Sequence, residues 1–205
     1  MASQIAGADE TVSSLYSVKS EQATMLSFDT YNYLVHYFGQ PQGSMADDPN
    51  GTLGGDYEFV ISDATADRIE LKGKKYGNRI VMKAFSADQT WKQYLTRIKK
   101  VEDDAFFYEY DLRMDGLYTG QMLRSNYTFI VTYYDEVGKV YQKTVPFMFT
   151  TDGMRFHEPV TIDGQTMQNF VWKNEEISFV CTDEGATGVK MKGIYIDGYQ
   201  SCLLY

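Results

Sequence analysis

Imidazoles and paired carboxylates do most proton-transfer and metal chemistry near neutral pH, and this chain has only two histidines, His36 and His157, about 120 residues apart. His36 precedes Asp47-Asp48-Pro49-Asn50-Gly51, whose carboxylates could join it at a metal. The other reading is a partly buried imidazole bonded to backbone, which is the commoner fate of a lone histidine. His157-Glu158 has no second histidine at helical spacing, so it is not a zincin-type ligand pair. Asp48, Asn50 and Asp56 have the composition of a calcium loop, yet calcium takes about six to eight oxygens and only Asp48 and Asn50 keep the alternate spacing. These three are weak metal candidates beside a solvated turn, and no metal or other cofactor is expected. Gly51, Gly54 and Gly55 lead into a strand, so a phosphate would find no helix N-terminus there. No Gly-x-Ser-x-Gly, P-loop or Cys-His nucleophile pairing occurs. With 28 acidic residues, a carboxylate pair for glycosidic hydrolysis stays open, placed in the Gly39–Asp56 region, although an acidic surface explains the same number.

The feature with a binding implication is aromatic. The chain holds 17 tyrosines, 12 phenylalanines and 2 tryptophans. Tyr and Trp on an exposed sheet face or loop make flat surfaces for sugar rings or peptide side chains. Tyr31, Tyr33, Tyr134 and Trp172 are the candidates for ligand contact, Tyr134 because alternation turns one of Tyr133-Tyr134 outward. The competing reading for each is simple packing in a β core.

The elements that would carry these residues are mostly strands. One stretch, Ser86–Glu102, reads as a helix: Trp91, Tyr94, Leu95 and Ile98 recur on one helical face, with Ser86 as N-cap and Gln89 completing a capping box. A shorter helix is expected over 30–38, capped by Asp29 or Thr30, with Leu34, Tyr37 and Phe38 toward the core. Strands are expected near Thr11–Val18, Thr24–Phe28, Tyr57–Ile61, Arg68–Leu71 and Arg79–Met82. After the helix come Phe106–Arg113, with Phe106, Tyr108, Tyr110 and Leu112 on the core face, then a hairpin of Asn126–Tyr134 and Lys139–Phe149. Asp152-Gly153 and Asp163-Gly164 turn the chain through Met154–Phe156 and Met167–Val171, and Glu176–Cys181 and Met191–Ile196 are the last strands. The fold class is therefore mainly β, an antiparallel meander of barrel or sandwich type. Its two halves, 1–85 and 105–205, are joined by the helix over 86–104 in one compact unit.

Composition narrows the partners. A net charge of −9 leaves no basic patch for nucleic acid or an anionic lipid surface. No apolar run is long enough to span a bilayer as a helix, and Met1-Ala2-Ser3-Gln4 has neither the basic nor the apolar part of a signal peptide. Cys181 and Cys202 either form one disulfide or stay as two buried thiols. The apolar end, Leu203-Leu204-Tyr205, is either paired in a sheet or a cut.

Several segments resemble a family of uncharacterised Bacteroidetes surface lipoproteins known as a domain of unknown function. They are Leu26-Ser27-Phe28-Asp29-Thr30-Tyr31-Asn32 through His36, Gly54-Gly55-Asp56-Tyr57-Glu58-Phe59, and Leu71-Lys72-Gly73-Lys74-Lys75. Downstream, Met154-Arg155-Phe156-His157-Glu158-Pro159, Ile162-Asp163-Gly164 and Phe170-Val171-Trp172 are similar to the same family. The likeness runs from about residue 12 to 180. It implies a lipid-anchored protein of the outer membrane and cell surface, partnered with a starch-utilisation-like importer in which a transporter works with a binding lipoprotein. The export signal and anchor cysteine of that pattern do not occur in these 205 residues. The family has no established functional residues to carry over.

Two functions from different classes follow. The first is a non-catalytic accessory lipoprotein of an outer-membrane nutrient importer, binding a peptide or glycan or docking on the transporter. The alternative is a carboxylate-dependent hydrolase acting on a glycan or peptide. A third, structural reading has an exposed sheet edge or loop contacting a larger complex.

Overall fold

The computed structural model describes residues 6–20, 22–40, 54–125, 127–135 and 137–195. The chain divides into two compact units, residues 1–93 and 94–205, and mainly antiparallel β structure fills both, as the strand periodicity predicts.

Unit 1 is an open five-stranded antiparallel sheet in chain order: β1 (Tyr16–Ser20), β2 (Thr24–Phe28), β3 (Glu58–Ala64), β4 (Arg68–Gly73) and β5 (Arg79–Lys83). Met25, Phe59 and Leu71 are the sheet's buried apolar side chains, and Ser27 is buried beside them. Between β2 and β3 lies α1, which is shorter than the 30–38 expected: Tyr33–His36 is α-helical and Tyr37–Gly39 tightens to a 3-10 turn. The cap is Asn32, whose Oδ1 accepts from the Leu34 amide at 3.0 Å. Asp29 and Thr30 are occupied elsewhere, Asp29 by the Ser27 hydroxyl (2.9 Å) and Thr30 Oγ1 by the Leu15 amide (2.7 Å). Leu34 is buried, whereas Tyr37 and Phe38 are only half-buried.

Asp56, just before β3, is one of the few buried polar residues. Its carboxylate accepts from the amides of Lys75 (2.8 Å) and Tyr76 (3.2 Å) and from Asn78 Nδ2 (3.2 Å). It thereby pins the turn between β4 and β5. Gly73 lies so close to this carboxylate that a Cβ would collide with it.

α2 spans Trp91–Asp104, so the helix begins four residues later than an N-cap at Ser86 predicts. The capping box exists one turn downstream: the Gln93 amide donates to Thr90 Oγ1 (3.2 Å) and Gln93 Oε1 accepts from the Thr90 amide (3.0 Å). Ser86 instead opens a turn, its carbonyl accepting from the Gln89 amide at 3.0 Å. Trp91 is exposed and meets Phe85 edge-on, while Leu95 and Val101 are the buried residues of the helix.

Unit 2 is a closed barrel of eight antiparallel strands: β6 (Glu109–Met114), β7 (Leu117–Ser125), β8 (Thr128–Tyr134), β9 (Val140–Phe149), β10 (Gly153–Ile162), β11 (Gln165–Lys173), β12 (Ser178–Cys181) and β13 (Val189–Gly193). Each strand pairs with the next, and β13 closes on β6 through Val189–Gly193 against Tyr110–Met114. Eight strands enclose a space just wide enough for side chains to fill. Tyr110, Phe129, Phe147, Phe156 and Phe179 fill it with Met122, Met154, Met167 and Met191, and Phe129 stacks on Phe147 at 4.4 Å. Val101 and Ala105, at the end of α2, join this core.

The expected strand Phe106–Arg113 begins only at Glu109. Phe107 N bonds to Ala105 O, so the chain is still turning off the helix at 105–107. Phe106 and Tyr108 are consequently exposed, while Tyr110 and Leu112 point into the barrel as the alternation predicts. β7 has no counterpart in the sequence reading. Its entry, Asp115-Gly116, takes positive φ at both residues, as does Asp163-Gly164 between β10 and β11.

The seam between β9 and β10 is, with β12–β13, the shortest in the barrel at three pairs, Phe149, Met148 and Phe147 facing Met154, Arg155 and Phe156. Pro146 has no amide to extend it, and in β10 the register against β11 shifts between Arg155 and Val160. Gln168 spans that shift, its Nε2 donating to the carbonyls of Phe156 (3.2 Å) and His157 (3.3 Å). Asp183 anchors the same part of β11, accepting from the Gln168 and Asn169 amides and from Asn169 Nδ2 (2.6 Å). Burial raises the pKa of Asp183, but the Asn169 and Gln168 bonds outweigh it and hold the carboxyl below its ordinary value.

Two predictions follow from these carboxylates. Asp56→Ala strands two amides and should destabilise unit 1 by about 2–4 kcal/mol, with the Lys75 and Tyr76 amides losing hydrogen-exchange protection. Retained protection would show that the turn stands without the carboxylate. A folded-state pKa below the unfolded one stabilises above the ordinary carboxylate pKa and stops doing so as pH falls through the folded value. Asp183→Asn should therefore lower the unfolding free energy from urea titration at about pH 7 by about 0.5–1 kcal/mol, the charge being partly screened by solvent, and the gap from the parent should close as pH falls through the acid range. An undiminished gap in acid would remove the charge from the explanation.

Candidate functional site

In unit 1 the segment between β2 and β3 assembles three rings from distant positions. Tyr31 meets the His36 imidazole at 5.5 Å between centroids, and His36 stacks on Tyr57 at 5.1 Å with 26° between planes. The column depends on glycines. Gly55 N bonds to Phe38 O at 2.9 Å, and a Cβ on Gly55 would strike the Phe38 backbone. This close approach brings the start of β3 against the end of α1. Tyr57 is held further by its carbonyl, which accepts from the Phe28 amide at 3.2 Å.

His36 is half-buried, with Nδ1 against Asn32: 3.1 Å from its amide and 2.9 Å from its carbonyl, one or the other bonding according to tautomer. Nδ1 is thus bonded to backbone, and Asp47-Asp48, the carboxylates of the metal reading, lie outside the described residues. Nε2 makes no hydrogen bond among the described residues. Tyr31 is 63% exposed and Tyr57 46%, and the Tyr31 hydroxyl donates to Gln40 Oε1 at 3.4 Å. Among the described residues the column presents aromatic faces, two phenol hydroxyls and an imidazole edge, groups suited to contact with a ligand.

The other candidates lie elsewhere. Tyr33 opens α1, half-buried, and makes no ring contact among the described residues. Tyr134 ends β8 on the outer wall of the barrel. Trp172 is half-buried near the end of β11, packed on Phe179 (4.9 Å) and Phe107 (6.1 Å) with Nε1 donating to Asn174 Oδ1 (3.2 Å). Strand direction alternates around the barrel, so the ends of β8 and β11 lie at opposite rims, and Tyr134 and Trp172 do not share a site. Asp48 and Asn50 lie outside the described residues. Asp56 directs its carboxylate at the β4–β5 turn. Among the described residues no three His, Cys, Asp or Glu side chains cluster as a metal site would require. His157 is exposed within the register shift of β10.

Cys181 is a free, buried thiol, and Cys202 lies outside the described residues. Burial pushes the Cys181 thiol up to about 11, which leaves it protonated near neutral pH and a poor nucleophile.

Sequence reasoning missed Tyr57 and its place beside His36. The available signal was glycine at both ends of the segment, Gly39 and Gly54-Gly55, which permits two backbones to approach closely.

No curated protein and no solved structure matches this chain. A family model described as a domain of unknown function (DUF4302) matches residues 1–174, which takes in unit 1 and the barrel through β11, and the chain belongs to that family.

Proposed function

We propose that this protein is a non-catalytic accessory lipoprotein of the cell surface, working beside an outer-membrane nutrient importer and its binding lipoprotein. In this reading unit 1 contacts a glycan or peptide through the column of Tyr31, His36 and Tyr57. The observation that carries the binding role is that these rings are ordered by one another and by backbone, yet Tyr31 and Tyr57 keep much of their surface in water. Aromatic surface fixed before a ligand arrives loses little conformational freedom on binding. Tyr31 has His36 on one side, and its other face suits a sugar ring or an apolar side chain. The importer association is supported by the likeness of the 26–36, 54–59, 71–75 and 154–172 segments to surface lipoproteins. Membrane contact in this reading comes only through a lipid anchor, and no helix among the described residues is long and apolar enough to cross a bilayer. The acid of the Gly39–Asp56 region that the structure describes, Asp56, has backbone amides on its carboxylate, which argues against its use as a general acid or base.

Titration calorimetry against soluble polysaccharides and peptides tests the site. Tyr31→Ala and Tyr57→Ala should each weaken a bound ligand about tenfold, the loss of about 1.4 kcal/mol of aromatic contact, with thermal stability unchanged. A ligand held equally by the parent and both variants would move the site away from the column. Pull-down of the tagged protein at native expression from detergent-solubilised outer membranes tests the partner. A transporter pair should co-purify, and recovery of the protein alone would end the importer association.

A further inference from the structure

The outer wall of the barrel from β6 to β9 carries a row of planar and hydroxyl polar groups. Asp111 pairs with Gln121, Gln121 with Thr132, and Thr132 with Gln142, so all four side chains stand on one face in direct cross-strand register. Neighbouring strands lie about 4.8 Å apart, so the row runs about 14 Å. It is braced along its length. Arg113 Nη2 donates to Asp111 at 3.0 Å, Gln121 Nε2 donates to Glu109, and Gln142 Nε2 donates to Thr132 Oγ1 at 3.4 Å.

Two tyrosines border this row. Tyr134 faces outward because Phe129 and Val131, on the opposite parity of β8, are buried in the barrel. Tyr118 would by parity point inward with Gly120 and Met122. The register instead shifts from Leu112↔Gly120 to Arg113↔Tyr118, and the extra residue, Thr119, turns Tyr118 to the side of Arg113. Burial raises the Tyr118 phenol first, and Asp111, Tyr134 and Glu109 then raise it further, which places those groups around it. Tyr118 is 53% exposed and Tyr134 48%, and neither stacks on another ring among the described residues.

We infer that this wall is a recognition surface for a linear uncharged oligosaccharide. Pyranose rings lie on the open faces of Tyr118 and Tyr134, and their hydroxyls bond to Asp111, Gln121, Thr132 and Gln142. A sugar ring has an apolar C–H face and an edge of hydroxyls that both donate and accept. Aromatic faces beside carboxamide, carboxylate and hydroxyl groups match both halves. The span of the row suits about three sugar units, one per strand spacing. A peptide strand is a poorer occupant, because β7 and β8 are paired on both sides and offer no free edge. Glu109 and Asp111 are balanced by Arg113 and by Lys192, which stands opposite Asp111 on β13, and Lys190 is paired with Glu176, so the wall has no surplus cation to favour an anionic glycan. The site lies in unit 2 and stands independently of the unit 1 column.

The test is binding of cellotetraose, maltotetraose, laminaritetraose and tetragalacturonate to the full chain, followed by calorimetry and by titration of tyrosine fluorescence. At least one neutral tetrasaccharide should bind, and tetragalacturonate should not. Tyr118→Ala and Gln121→Ala should each weaken that binding at least tenfold, whereas Tyr31→Ala should leave it unchanged. Thr132→Val, which keeps the shape and removes the hydroxyl, should weaken it several-fold with an unaltered melting temperature, so that a loss through unfolding is distinguished from a loss of contact. The inference is overturned if none of the neutral tetrasaccharides binds, if binding survives Tyr118→Ala and Gln121→Ala, or if tetragalacturonate binds as well as the neutral sugars. Binding lost on Tyr31→Ala but kept in the wall variants would also overturn it, while upholding the unit 1 site.

Discussion

Closure of β13 on β6 is the constraint on which unit 2 depends. An open eight-stranded meander would leave two rows of backbone donors and acceptors to water or to other chains, and the Val189–Gly193 pairing with Tyr110–Met114 removes both. Closure also fixes the volume inside. The residues that fill it are large and alternate strictly: Tyr110 and Leu112 from β6, Phe129 and Val131 from β8, Phe147 and Phe149 from β9. Burial leaves the Tyr110 phenol needing a partner, which it finds in the Ala105 carbonyl at the end of α2. The end of the helix is thereby tied to the barrel core by the same residue that closes the ladder at Gly193.

Unit 1 solves a different problem, because its sheet is open and its apolar content modest. Order there comes from polar anchors that hold backbone. Asn32 caps α1, Asp56 gathers the β4–β5 turn, and Thr30 holds the Leu15 amide. These anchors permit aromatic side chains to be positioned without being buried, as Tyr31, His36 and Tyr57 are.

Strand periodicity was legible where both faces had distinct environments. Thr24–Phe28 is β2 to the residue, and the Asn126–Phe149 hairpin is β8 and β9 with slightly trimmed ends. Helix starts were less legible, because a capping residue is recognised by what its side chain bonds and not by its type. Asp29, Thr30 and Ser86 are all good caps by identity, yet Asn32 and Thr90 do the work. β7 was unreadable since its inward positions include Gly120 and Arg124, neither of which looks like core. The Arg124 guanidinium lies over the Phe106 and Phe149 rings, with Glu102 at 3.7 Å, an environment assembled from three distant segments. The candidate site was legible in Tyr31 alone, because the partnership of His36 with Tyr57 depends on two backbones crossing at Gly55.

The short β9–β10 seam gives the barrel one of its two weakest staves, β12–β13 being the other. Three residue pairs, bounded by Pro146 on one strand and the register shift before Val160 on the other, hold a junction that other neighbours secure with as many as seven. A hoop under thermal agitation parts where its ladder is thinnest, and β9–β10 shares that place with the equally short β12–β13 seam, so opening at the former admits solvent to Phe147 and Phe156.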